Sequence, residues 1–138
     1  MRAFLALGSN LGDRLGHIRE ALRLLSRRCK ILKTSSIYET PAMYYTRQGD
    51  FYNAAVEIET GLSPLELLRE TQSVEKALKR RRKFKNSPRT IDIDIIFYGA
   101  KVVEEPELRI PHPGLPERPF VLAPLREIAP RLRHPVSK

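Results

Sequence analysis

Cysteine is nearly absent from this 138-residue chain, and the single Cys29 excludes an internal disulfide and fits a reducing compartment. No stretch approaches the roughly 20 apolar residues of a membrane-spanning helix. The apolar start from Met1 to Leu7 is short and is interrupted by Gly8 and Asn10, so no secretory leader is expected. Neither a full Gly-x-Gly-x-x-Gly fingerprint nor a P-loop lysine signature occurs. Repeats and low-complexity linkers are missing too. Acidic residues are scarce beside basic ones, 16 against 25, which leaves a formal charge of +9. That excess favours an anionic partner without choosing among nucleic acid, an acidic membrane surface and a nucleotide. With 41% hydrophobic residues the chain can fill one core, and residues 1–138 read as one domain, soluble and cytoplasmic.

What is present divides into short elements. Ala3 to Leu7 is an apolar run ended by Gly8-Ser-Asn-Leu-Gly12, a buried strand and a tight turn. That turn reads equally as a plain connector or as a loop that touches phosphate. Asp13 caps a helix whose stripe is Leu15, Ile18, Leu22, Leu25 and Cys29, with Cys29 a buried structural thiol. Two strands follow, Ile31 to Tyr38 and Phe51 to Glu59, joined by a connection too long for a tight hairpin. Ser63, Pro64 and Glu66 spell a capping box with proline at the first helical position. The stripe of this second helix runs through Leu65, Leu68, Gln72, Glu75 and Leu78 or Lys79. Its two polar members lie either at the stripe's boundary or toward a site. A last strand, a small hairpin from Lys101 to Ile110 and a short helix from Leu122 to Ile128 complete the chain. The order βαββαβ predicts a ferredoxin-like α+β fold, an antiparallel sheet with helices on one side.

The last long strand carries the chemistry. In Pro88-Arg-Thr-Ile-Asp-Ile-Asp-Ile-Ile-Phe-Tyr-Gly99 a two-residue period sends Ile91, Ile93, Ile95 and Phe97 to the core. Thr90, Asp92, Asp94, Ile96 and Tyr98 take the opposite face. The two aspartates stand one pleat apart, about 6.5–7 Å between Cα atoms. Like charges at that spacing are costly in an interior strand unless a cation sits between them. A hard divalent ion with oxygen ligands would serve; alternatively, both are solvated residues of an edge strand. Just upstream, Lys79-Arg-Arg-Arg-Lys-Phe-Lys85 and Arg89 set dense positive charge beside the carboxylates. Cations next to anions at a strand mouth suggest a polyphosphate held between them.

Taken together, Gly8 to Gly12, Thr40-Pro41, Phe51-Tyr-Asn-Ala-Ala55, Glu75, Pro88 to Asp94, Ile110-Pro-His112 and Arg118-Pro-Phe-Val-Leu122 resemble one family. It is 6-hydroxymethyl-7,8-dihydropterin pyrophosphokinase of folate biosynthesis, and the resemblance covers about residues 3 to 130. It implies transfer of the terminal diphosphate of ATP to the hydroxymethyl group of a reduced pterin, with release of AMP. Carried over motif by motif, Asp92 and Asp94 would hold two Mg2+ ions, with Asp92 also near the pterin. Arg89, Ile110 and His112 would meet ATP, and Gln72 and Glu75 would face the nucleotide. Arg80 and Arg82 would lie in a catalytic loop. Phe51 and Phe120 would stack on the pterin, Thr40, Pro41, Met43 and Asn53 would meet its edge, and Arg118 would stand beside it. The chain departs from the family at Asn86-Ser87, where many members have Trp-Gly, and at Gly114, where arginine is common. The partners implied are ATP and the pterin alone, with no nucleic acid or membrane, and the protein is expected to be a monomer. An RNA-binding module that uses residues 79–89 is the competing reading; it lacks the expected Arg-Gly-Phe-type strand signature. A metal-dependent nuclease is a third, without a signature of its own.

Overall fold

The computed structural model describes residues 1–41, 49–79, 90–115 and 118–135. Strand β1 (Arg2–Ser9) turns into helix α1 (Arg14–Leu25), whose first turn is closed by the Asp13 carboxylate accepting the Gly16 N–H at 3.0 Å. Where one strand was expected, from Ile31 to Tyr38, there are two: β2 (Lys30–Thr34) and β3 (Tyr38–Thr40). Ser35 causes the break, because its hydroxyl accepts the Ala55 N–H at 2.8 Å and competes with the backbone ladder. Strand β4 (Phe51–Glu59) has the expected bounds. Helix α2 (Pro64–Ala77) begins at the predicted capping box, with Ser63 and Glu66 exchanging hydrogen bonds of 2.8 and 3.2 Å. Strand β5 (Asp92–Tyr98), the hairpin β6 (Val103–Glu105) and β7 (Leu108–Ile110), and helix α3 (Pro119–Ile128) follow.

The sheet order is β2-β4-β1-β5, all antiparallel, and β3 continues along the edge of β4 beyond β2. This is the ferredoxin-like arrangement. Helices α1 and α2 cover one face, burying Ile18, Leu25, Leu67 and Val74 against Leu5, Val56, Ile93 and Ile95. Helix α3 adds a layer on the opposite face, where Val121, Leu125 and Ile128 pack on Phe4, Ala55 and Phe97. That layer extends the one-sided arrangement read from the sequence.

Three local expectations change. Phe4 pairs with Phe97 while Leu5 pairs with Ile95, so Ile96 is an extra residue in β5. This bulge reverses the alternation: Phe97 joins the α3 side and Tyr98 the α1/α2 core, opposite to a strict two-residue period. In α2 the buried line is Leu67, Thr71 and Val74, whereas Leu65 and Gln72 are exposed. Thr71 hid that line by being polar, yet its hydroxyl is satisfied by the Leu68 carbonyl at 2.8 Å. Cys29 lies beyond α1 and is buried, its Sγ 3.6 Å from Thr60 Oγ1, and burial pushes the thiol's pKa up, as suits a structural residue.

Candidate active site

The aspartates share the α3 face of β5, just ahead of the bulge. Asp92 lies opposite Gly8 of β1, which in turn lies opposite Asn53 of β4; Asp94 lies opposite Ala6, itself opposite Ala55. Two adjacent rows therefore cross the sheet, each with a carboxylate at the β5 end and only glycine or alanine in the middle strand. Small residues in β1 leave room above the sheet for a flat ligand. A Cβ on Gly8 would stand 3.2 Å from Asn53 Oδ1 and 3.3 Å from Phe51 Cδ1, so Phe51 and Asn53 close the far end of the first row. Asn53 is buried and donates its amide N–H to Thr40 Oγ1 at 2.6 Å, which ties β3 to β4 and fixes the amide's direction. Pro41 follows, exposed.

Two cationic or titratable groups flank Asp94. His112 Nε2 is 3.9 Å from Asp94 Oδ1, and Arg118 Nη1 is 3.7 Å from Asp94 Oδ2. The His112 backbone N–H donates to the Ile96 carbonyl at 3.2 Å, and its Nδ1 accepts the Gly114 N–H at 3.1 Å. With Nδ1 occupied as an acceptor, the neutral ring carries its proton on Nε2, toward the carboxylate. Burial holds the His112 pKa below its usual value, Arg118 adds to that depression, and Asp92 opposes it. Phe120, half-buried in the first turn of α3, has its ring centroid 5.9 Å from the Arg118 guanidinium carbon.

The structure thus brings Asn53, Thr40, Phe51, Asp92, Asp94, His112 and Arg118 to one face. Other predicted residues stand apart. Glu75 reaches the backbone of β5, accepting the Ile93 N–H at 2.9 Å, and Gln72 is exposed one turn away with Arg69 at 3.5 Å. The Ile110 side chain is buried in the α1/α2 core. Met43, Arg80, Arg82 and Arg89 lie outside the described residues. Among the described residues no group of three or more His, Cys, Asp or Glu is placed to hold a metal ion. Sequence reasoning missed the Gly8 and Ala6 rows, for which the register of β1 against its neighbours was needed. No sequence pattern marks Arg14 either, whose guanidinium stacks on Tyr52 at 3.8 Å.

Residues 4–130 match the family described as 7,8-dihydro-6-hydroxymethylpterin-pyrophosphokinase. The 2-amino-4-hydroxy-6-hydroxymethyldihydropteridine pyrophosphokinase of Bacillus subtilis is 48% identical over 128 residues, 91% of this chain and 77% of that protein. The Folic acid synthesis protein FOL1 of Dictyostelium discoideum is 44% identical over 132 residues, 96% of this chain and 20% of its own. The chain therefore spans about a fifth of the length of some curated relatives and most of the length of others. Among solved structures, the HPPK-DHPS of Plasmodium falciparum with pterin and p-hydroxybenzoate superposes with a TM-score of 0.72 at 18% identity. That match covers 96% of this chain and 41% of the other, and speaks to the fold.

Proposed function

The chain belongs to the 7,8-dihydro-6-hydroxymethylpterin-pyrophosphokinase family, and on that premise we propose that it transfers the terminal diphosphate of ATP to a reduced 6-hydroxymethylpterin. The hydroxymethyl oxygen attacks the β-phosphorus, the bond from that phosphorus to the α,β-bridging oxygen breaks, AMP leaves and the hydroxyl proton is released. One observation carries the reading: the row Asn53, Gly8 and Asp92, with Asp94 beside it, joins an amide suited to the pterin edge to a carboxylate pair suited to a metal–triphosphate. Phe51 and Phe120 supply the stacking faces, and Thr40, Pro41, Asn53 and Met43 the edge contacts.

The donor set fits magnesium. Mg2+ takes few protein oxygens and completes its shell with water and phosphate, so two half-exposed carboxylates on one strand face suffice without a third acidic ligand. When bound, two such ions neutralise the charge of the transferring group. Asp92 and Asp94 would hold them, with the Arg118 guanidinium 3.7 Å from the Asp94 carboxylate. Neutral His112 offers Nε2–H to a phosphate oxygen. Gln72 and Glu75 border the nucleotide, Ile110 contributes through its backbone, and Arg80, Arg82 and Arg89 contribute the cations that align the triphosphate. The coverage of the α3 face weighs against the RNA-binding module, which needs that face open for base stacking. The same reading has the protein acting as a monomer in the cytoplasm. No helix among the described residues is long and apolar enough to cross a membrane.

The deciding experiment incubates the protein with ATP, magnesium and 6-hydroxymethyl-7,8-dihydropterin and resolves the nucleotide products. Pterin-dependent release of AMP is expected; release of ADP, or no dependence on pterin, overturns the proposal.

A further inference from the structure

Arg14 opens α1, and its environment is more specific than that of a surface cation. Its Nη1 donates to Glu39 Oε2 and to the Asp50 carbonyl, both at 3.0 Å, while its guanidinium carbon lies 3.8 Å from the Tyr52 ring centroid. Each of these partners is the chain neighbour of a residue assigned to the pterin: Glu39 precedes Thr40, Asp50 precedes Phe51, and Tyr52 lies between Phe51 and Asn53. The register explains the interleaving. In the β3–β4 ladder Glu39 is opposite Tyr52, while Thr40 is opposite Phe51 and Tyr38 is opposite Asn53. Successive residues of a strand point to opposite faces. The Glu39 and Tyr52 pair therefore faces the α1 side, where Tyr52 packs against the α1/α2 core, and Thr40 and Asn53 face the site.

We infer that Arg14 is a positioning residue for the pterin side of the site, an inference that rests on the function proposed above. It grips from behind the two stems that flank residues 41–49. The helix makes it a fixed point, because Asp13 closes the first turn through Gly16 N–H and accepts the His17 N–H at 2.8 Å with its backbone carbonyl. Holding both stems from one planar group steadies the end of the β3–β4 ladder, and with it the placement of Thr40, Phe51 and Asn53. Lysine cannot replace it, since an ammonium lacks the flat face that stacks on Tyr52. The Arg14–Glu39 pair is partly exposed, at 29% and 53% of the two side chains, so it adds little to global stability. Its effect is local.

The test compares wild type, Arg14→Ala and Arg14→Lys by steady-state kinetics and by amide exchange. Arg14→Ala is expected to raise the pterin KM about tenfold and leave kcat and the ATP KM within about twofold, the pattern of misplaced binding groups. Exchange at the Thr40, Phe51 and Asn53 amides should accelerate by about tenfold, with β1 and β5 unchanged. Arg14→Lys should behave as the alanine variant. An unchanged pterin KM with unchanged stem protection overturns the inference. So does a uniform loss of protection accompanied by a lowered Tm, which would make Arg14 a general structural residue. Wild-type protein that releases no AMP would sink the proposed function instead, and the exchange arm would still decide whether Arg14 holds the stems.

Discussion

A methyl group at position 8 tests how tightly the site is built. Gly8 needs no unusual backbone angle; what it supplies is space, with Asn53 Oδ1 and Phe51 Cδ1 within 3.3 Å of where a Cβ would stand. Gly8→Ala is expected to displace both side chains by a few tenths of an ångström, raise the pterin Kd by about tenfold and hold the fold intact, since alanine is no worse than glycine in a strand. A fluorescence titration with the pterin checks this; an unchanged Kd would mean that Phe51 and Asn53 yield freely. Asp94→Ala removes a carboxylate that Arg118 and His112 both approach within 4 Å. Turnover should fall by at least about a thousandfold with little change in Tm, because the residue stands in a half-exposed site and serves charge neutralisation. Near-normal turnover would remove Asp94 from the metal. The carboxylate pair was legible from alternation alone. Gly8 was not, for a glycine announces a turn as readily as a cleared space, and only strand pairing says which residues it clears.

Helix α3 shows how far elements can be read. Its turn-rich approach and apolar content mark it in the sequence, but nothing there says that it crosses to the face opposite α1 and α2. The Glu127 carboxylate anchors it: it accepts the Ser36 N–H at 3.1 and 3.0 Å, the Ser36 hydroxyl at 3.0 Å and the Tyr38 hydroxyl at 2.7 Å. Such contacts span some 90 residues of sequence, and no local pattern encodes them. The Tyr38 hydrogen bond, followed by the Ser36 backbone, holds the Glu127 pKa below the usual carboxylate value. A carboxyl with a depressed folded-state pKa stabilises the fold fully above its unfolded pKa, and the contribution disappears as pH falls through the folded value. Glu127→Gln should therefore lower Tm at neutral pH, and the gap to wild type should close as the solution is acidified below about 4.3. A gap independent of pH in a series of thermal melts would contradict the ionic role. Where local chemistry suffices, as at Ser63, Pro64 and Glu66, the sequence named the element to the residue. The β5 bulge and the buried line of α2 escaped because partner strands and packing decide them.

At the scale of the whole molecule the excess of positive charge asks for an explanation. Ion pairs such as Arg69 with Glu107 and Arg28 with Glu70 leave it undiminished, since both members of each pair are already counted, and α3 covers part of the face on which a ferredoxin-like RNA module would stack bases. What remains is a field of +9 around a site proposed to take one highly anionic substrate and one nearly neutral one. Such a field concentrates the anion near the cleft and leaves the neutral ligand unaffected. Salt should separate the two. Between about 0.1 M and 1 M monovalent salt the Debye length shrinks from about 10 Å to about 3 Å, which screens the field beyond direct contact. The KM for ATP is then expected to rise by about five- to tenfold while the pterin KM shifts by less than about twofold, magnitudes in keeping with long-range steering. Magnesium is kept saturating and an uncharged osmolyte at matched osmolality serves as the control. Parallel shifts in both constants would trace the effect to the fold, and no shift in either would free the charge for a role outside this reaction.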